Sequence, residues 1–313
     1  HAGIPLLAEL FRSCGAAEVM DRRASPKQRQ RGLTAAQTAE SLVTLWVSGG
    51  ERCEDMDRLR EDRALAQLLG YALPSAQALR DFLSGFHEED LPLLQAGEKS
   101  HVPQEPELVE GLVAVSQQIV AFLQQRKPSK VATRDLDATI LESDKRAAKP
   151  TYDGRRGYQP VFVLWAEQDV IVADEFRDGN VPAGSGNLRV LKKALAALPP
   201  DVEQVLFRGD SAAYEHALME FAQAKDIGFA ISADMSPALH AAIVALPEAA
   251  WQTDRQEAAA LRQWAEVEFF PDDSRSPQPY RYLAIRILKQ QGSLFADGSD
   301  RRHFCIVTNR QDN

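Results

Sequence analysis

Cysteine is scarce in this chain of 313 residues. There are three, Cys14, Cys53 and Cys305, widely separated and with no CxxC pair. Such a set suits neither a disulfide framework nor a structural zinc site, and it fits a reducing cytoplasm. Long apolar runs are missing as well. None nears the roughly 18–20 residues that cross a bilayer, so no membrane partner is expected. The six histidines lack an HExxH-type spacing and read as surface or packing residues. Positive charge is not in excess: 36 Lys and Arg face 45 Asp and Glu, a formal net charge of −9. That sign argues against a nucleic-acid coat protein, but not against a DNA enzyme, whose phosphate contacts come from local patches. The chain opens on His1, no signal-peptide pattern follows, and both ends read as cut.

What is present is an ordinary globular balance, 44% hydrophobic and 26% charged. It is enough for about two domains of roughly 150 residues and excludes disorder as the main state. Residues 1–126 read as an all-α region. Thr34 and Gln37 have capping-box spacing, and Gly49-Gly50 stops the apolar run that follows. A helix is predicted from Ser75, with Leu79, Phe82 and Leu83 toward the core. Another is predicted over about 107–125 on Leu108, Leu112, Val115, Ile119 and Leu123. After Lys127-Pro128-Ser129 strand-like runs dominate, at 131–142, 159–166, 169–176, 202–209, 227–232, 265–270, 280–288 and 303–308. Helical patterns at 187–198, 214–225 and 236–246 are interleaved. The order predicts an α/β domain over 127–313 with a mixed sheet and an insertion at about 247–300.

Two acidic sites sit at strand edges. In Arg134-Asp135-Leu136-Asp137-Ala138-Thr139 the two aspartates share one face of a strand. In Val205-Leu206-Phe207-Arg208-Gly209-Asp210-Ser211 an apolar strand ends on Asp210. An aspartate at a strand end also serves as a turn former or cap. Carboxylates that converge at strand ends of an α/β sheet lie where ligands bind, and they repel each other unless a divalent cation lies between them. The pattern Asp135-x-Asp137-x-Thr139 resembles the first motif of haloacid-dehalogenase-type phosphatases, with Asp135 as nucleophile, and Asp272-Asp273 could pass for a late metal motif. The strand before it is only half apolar, and it lies far from the chain start, which that family's motif does not.

A second resemblance covers nearly the whole chain. Ser48-Gly49-Gly50-Glu51-Arg52-Cys53-Glu54-Asp55-Met56 leads to Leu59-Arg60, Asp62, Ala64-Leu65 and Leu68-Leu69-Gly70. Leu73-Pro74-Ser75, Leu79-Arg80, Asp135–Thr139, Gly157–Pro160, Arg177-Asp178-Gly179-Asn180-Val181, Arg208–Ser211 and Val307-Thr308-Asn309 follow in order. This succession resembles the DDE transposases of bacterial insertion sequences, in particular the insertion-sequence 1380 family. The resemblance implies an RNase H-like catalytic domain with a β-rich insertion, Mg²⁺ or Mn²⁺ as cofactor, and cleavage and strand transfer of double-stranded DNA by a homodimer in a bacterial cytoplasm, at the nucleoid. It makes Asp137 and Asp210 the catalytic and metal-holding carboxylates, with Asp135 in reserve. The family's final Glu lies on a helix beyond the Val307-Thr308-Asn309 strand, so the chain reads as truncated before it and as impaired in catalysis. Glu266 and Glu268 do not match that position. A non-catalytic DNA-binding remnant is the other reading.

Basic stretches interrupt the acidic average. Arg22 and Arg23 lie with Lys27, Arg29 and Arg31 in the helical region, expected to bind DNA ends and support assembly. Lys145, Arg146, Lys149, Arg155 and Arg156 follow the Asp137 strand. Both are candidate phosphate contacts. Gly179 is predicted to need a positive φ in a structural turn with Arg177 and Asn180. Trp251 and Trp264, in the insertion, are candidates for a wedge between bases.

Overall fold

A computed structural model describes residues 3–27, 31–87, 93–96, 101–257, 260–271, 280–289 and 301–311. The chain forms two compact units, His1–Pro128 and Ser129–Asn313. The first holds helices α1 (Ile4–Ser13), α2 (Ala16–Arg23), α3 (Ala35–Val47), α4 (Asp55–Leu59), α5 (Arg63–Leu69) and α6 (Ala76–Ser84). A two-stranded antiparallel hairpin, β1 (Leu93–Ala96) and β2 (His101–Pro103), precedes the long α7 (Glu107–Arg126).

Helix starts follow from side chains that satisfy otherwise orphaned backbone amides. The Thr34 hydroxyl accepts from the Gln37 amide while the Gln37 side chain accepts from the Thr34 amide, completing the capping box. Asp62 caps α5 and Ser75 caps α6 in the same manner. The core contains Met20, Leu42, Leu45, Met56, Leu69 and Leu79, each such burial worth about 1.5–3 kcal/mol. Leu79 and Phe82 point inward as the spacing predicts. Leu83 and Leu112 do not, standing 44% and 36% exposed, because the buried stripes of α6 and α7 are narrower than the apolar periodicity suggests. A part-buried ion pair ties three elements: Arg12 donates to both oxygens of the buried Glu40 and to the Leu69 carbonyl, and Tyr71 also donates to Glu40.

The second unit begins with β3 (Val131–Ala138). A small meander follows, of β4 (Leu141–Glu142), β5 (Lys149–Pro150) and β6 (Arg156–Tyr158), paired in the order β4-β6-β5. Next come β7 (Val161–Trp165), β8 (Val170–Glu175), α8 (Asn187–Ala196), β9 (Gln204–Gly209), α9 (His216–Ala224), β10 (Gly228–Ser232) and α10 (Pro237–Val244). The chain finishes with β11 (Gln252–Glu257), β12 (Ala260–Val267), β13 (Arg281–Lys289) and β14 (Arg301–Thr308). Nine strands make one sheet in the order β11-β12-β13-β14-β10-β9-β3-β7-β8. The pairs β3·β9 and β9·β10 are parallel; β7 and β8 are antiparallel to their neighbours, as are β11 to β14.

The half β8-β7-β3-β9-β10, with one reversed strand beside the first and helices α8 and α9 after the third and fourth, is the RNase H-like arrangement. The segment 247–300 contributes β11, β12 and β13, which widen this sheet. Trp165, Phe207, Phe229 and Ile231 fill the interior with no solvent exposure. Among the described residues no helix is long and apolar enough to cross a membrane.

Candidate active site

The sheet register decides which acidic groups meet. Parallel pairing runs from Val131↔Gln204 to Leu136↔Gly209, so the next residues in step are Asp137 and Asp210. Parallel neighbours lie about 4.8 Å apart and present equivalent residues to the same face. That face is fixed by the preceding pair. Asp135 and Arg208 are in register, and Arg208 Nε and Nη2 donate to the two Asp135 oxygens at 2.6 Å each. Asp137, two residues on from Asp135, therefore shares its side of the sheet. Both Asp137 and Asp210 are exposed. Arg134 and Leu136 point the other way, and Arg134 donates to the Ala194 carbonyl of α8 at 2.7 Å.

Asp210 has two jobs. One of its oxygens accepts from the Ala212 amide at 3.0 Å, capping a short 3-10 turn over Ser211–Ala213. The α-helix begins only at His216, after this capped turn. The other carboxylate oxygen and the whole of Asp137 remain available to a ligand.

Beneath Asp210 lies a buried network. Arg177, with no solvent exposure, donates to Glu175 at 2.7 Å and to Asn187 Oδ1 at 3.4 Å. Arg189 completes Glu175 at 2.7 Å, and Asn187 Nδ2 donates to the Ala212 carbonyl at 2.9 Å. The capped turn is thus held from both sides, by Asp210 on its amide and by Asn187 on its carbonyl. Burial lowers the Arg177 pKa while the Glu175 carboxylate raises it. Gly179 in this region does not have a positive φ. Its requirement is space: a Cβ there would lie 2.5 Å from the Gly157 carbonyl oxygen and 2.7 Å from that of Lys149.

A cleft of about 900 Å³ opens beside these groups. Ala138, Gln159 and residues 179–184 line it with Pro150, Thr151 and Tyr152 on one side and Asp210, Ser211, Ala212, Tyr214, Glu215 and Asp234 on another. Its charged lining residues are all acidic. Tyr214 meets Tyr282 hydroxyl to hydroxyl at 2.8 Å, and burial raises the Tyr214 pKa.

A divalent cation fits the pair. The register carries the two carboxylates onward from neighbouring strands, and like charges so placed favour a cation. Mg²⁺ needs only one or two protein carboxylates when substrate phosphate and water complete its octahedron. No group of three or more His, Cys, Asp or Glu side chains is set to hold a metal among the described residues. Asp135 is engaged by Arg208, and Glu266 is taken by Arg281 at 3.0 Å. Asp272 and Asp273 lie outside the described residues.

The basic candidates divide. Lys145, Arg146, Lys149, Arg155 and Arg156 are brought together on the β4-β6-β5 meander, all exposed, next to the cleft residues Pro150–Tyr152. Two of them are less free than their sequence positions suggest. Arg155 pairs with Asp153 at 2.5 Å and Glu142 at 3.6 Å, and Arg156 donates to the Arg146 and Ala148 carbonyls. Arg22 and Arg23 are exposed on the last turn of α2 in the helical unit; Arg29 lies outside the described residues.

Trp251 is no wedge: it is 8% exposed beneath the Arg286 guanidinium, 4.3 Å from its ring centre, and Arg286 is itself paired with Glu248. Trp264 is half-buried in β12. Sequence reasoning missed Tyr152, the large side chain that is most exposed beside the cleft; a Thr-Tyr-Asp-Gly turn flanked by basic residues was the available signal.

An antiparallel β7 beside β3, and an Asp135 already bonded on both oxygens, do not suit a haloacid-dehalogenase phosphatase, whose motif strand lies in a parallel sheet. The sheet order and strand directions define an RNase H-like fold. The chain belongs to the family described as transposase DDE domain group 1, whose sequence model matches residues 1–309. No curated protein matches it in sequence. Among solved structures, a piggyBac transposase synaptic complex with hairpin DNA is similar over 99% of this chain, at 12% identity and a TM-score of 0.45. The chain spans 61% of that protein's length. The Mos1 strand transfer complex and the Mos1 mariner paired end complex with Mn each match over 65% of this chain, at 15% identity and a TM-score of 0.23; 60% and 61% of those chains are covered.

Proposed function

We propose that this chain is the catalytic part of a DNA transposase, of the insertion-sequence 1380 group, which cuts phosphodiester bonds at the ends of its element and joins them to target DNA. The observation that carries the reading is the parallel register Leu136↔Gly209, with an aspartate next on each strand. Asp137 and Asp210 hold the divalent cation, Mg²⁺ or Mn²⁺. When bound, that cation lowers the pKa of water and stabilises the oxygens entering and leaving phosphorus. Asp135 is not a spare ligand in this scheme; with Arg208 it keeps β3 and β9 in step. Arg177 and Asn187 orient the turn that carries Asp210. Lys145, Arg146 and Lys149, and more weakly Arg155 and Arg156, attract the DNA backbone to the cleft's edge. The unit of residues 1–126, with Arg22 and Arg23, binds the element's terminal repeats and supports a homodimer on DNA in the bacterial cytoplasm.

Supercoiled plasmid tests this. Nicking with Mg²⁺ or Mn²⁺, at whatever rate the chain sustains it, is expected to be lost in Asp210→Asn. Binding to terminal-repeat DNA without any nicking would assign the chain to DNA recognition alone, and turnover of small phosphate esters would return the phosphatase reading.

A further inference from the structure

Tyr152 is 82% exposed, the highest value among the large hydrophobic side chains described. Water-exposed aromatic surface is common on mobile loops, but this ring stands on a braced one. Thr151 and Gly154 close a turn (Gly154 amide to Thr151 carbonyl, 3.1 Å), and the Thr151 amide donates to the Arg155 carbonyl at 2.7 Å. The Thr151 hydroxyl bonds Asp153 at 2.5 Å, the Asp153 carboxylate accepts from the Arg155 amide, and its ion pair with Arg155 locks the far side. Gly154, at φ +87°, takes the left-handed position the turn needs. Those bonds hold the Asp153 pKa down at about 2, led by the Arg155 contact, so the brace is charged at neutral pH.

The ring lies on the wall of the cleft that Asp210 lines from another side. The cleft has the volume of a site for a small organic group, and its charged lining is acidic, so away from a cation at Asp210 it favours an uncharged group over a phosphate. With the neighbouring Arg155 held on Asp153, the exposed ring face suits the uncharged face of a nucleobase, whose own phosphate would stay at the carboxylate pair and the basic strands beside it. We propose that Tyr152 stacks on a single base displaced from the DNA duplex beside the phosphate to be cut. The inference rests on the DNA reading above.

The test uses the whole chain and a forked DNA duplex with 2-aminopurine as the first unpaired base, with Ca²⁺ in place of Mg²⁺ so that binding is read without cutting. Stacking by wild-type protein should quench the 2-aminopurine emission. Tyr152→Ala should lose the quenching and bind forked DNA about five- to a hundredfold more weakly, with fully paired duplex bound as before. Tyr152→Phe should keep both properties, since the ring face and not the hydroxyl makes the contact. Because the side chain is exposed, thermal melting of Tyr152→Ala should match wild type. Unchanged quenching and affinity in Tyr152→Ala would overturn the stacking role and leave the DNA reading intact. Failure of wild type to bind any DNA would overturn both.

Discussion

Two charged clusters are joined in this fold by a single hydrogen bond, and they are built on opposite principles. Glu175, Arg177 and Asn187 are buried and Arg189 is half-buried, and every charge has an opposite charge in contact. Asp137 and Asp210 are exposed, of the same sign and without a cationic partner. A fold can bury a charge only when it is paired and hydrogen-bonded. It can keep like charges adjacent only where water, or a cation, screens them. The first cluster is therefore structural, the second is the receptor in the proposal above, and the Asn187–Ala212 hydrogen bond joins the first to the turn that carries Asp210.

The sharpest way to separate them is to neutralise the receptor. Asp210→Asn preserves the cap, because asparagine caps as well as aspartate. Nicking should fall by about a hundredfold or more, while melting temperature stays level or rises. A large loss of stability would mean that the carboxylate is there for the fold. Breaking the other cluster should do the reverse. Arg177→Met leaves Glu175 buried beside Arg189 alone, at a cost of about 3–5 kcal/mol in urea unfolding. The double variant Glu175→Met with Arg177→Met should recover part of that, since no buried charge is left half-paired.

Arg208→Ala sits between the two extremes. The pair is part-exposed, so the stability change should be within about 1 kcal/mol, yet nicking should drop if the clamp holds the two strands in step. Equal nicking would reduce the pair to a surface ornament.

Arg134 sharpens the comparison from the opposite face of β3. Its guanidinium is wholly buried, Nε and Nη2 have no hydrogen-bond partner, and burial pushes its pKa down to about 10. A base whose folded pKa lies below its unfolded value penalises folding at every pH beneath the folded pKa, and the penalty fades as pH rises from about 10 toward the unfolded value. Arg134→Met should accordingly unfold at the same or a higher temperature at pH 7. A clear loss would show that the Ala194 hydrogen bond outweighs the buried charge. The smallest expected effect is chemical: Cys53, half-exposed, should react first with a thiol reagent. Cys305, whose pKa burial raises to about 12, should wait for unfolding.

Much of this was readable in the chain. Capping pairs such as Thr34 and Gln37 act over three residues, so their pattern survives without knowledge of the rest. The alternation around Asp135 and Asp137 likewise marks a strand face, and the apolar run before Asp210 marks a strand end. Other features arise between distant segments and leave no local trace. The mutual service of Asp135 and Arg208 spans 73 positions. Gly179 looks like a turn glycine until the carbonyls of Gly157 and Lys149 are seen against it. Trp251 looks available until Arg286 covers it, and Tyr152 looks ordinary until its turn is found braced at the rim of a cleft.

Residue order by itself determined the elements, their alternation and the two acidic strand ends, because helix caps, strand periodicity and turn chemistry are set by neighbours a few positions apart. Only the assembled sheet decided that 136 pairs with 209, that 135 is spoken for, and which aromatic ring faces solvent. Those outcomes depend on pairing between strands and on burial, and both come into being when remote segments pack together.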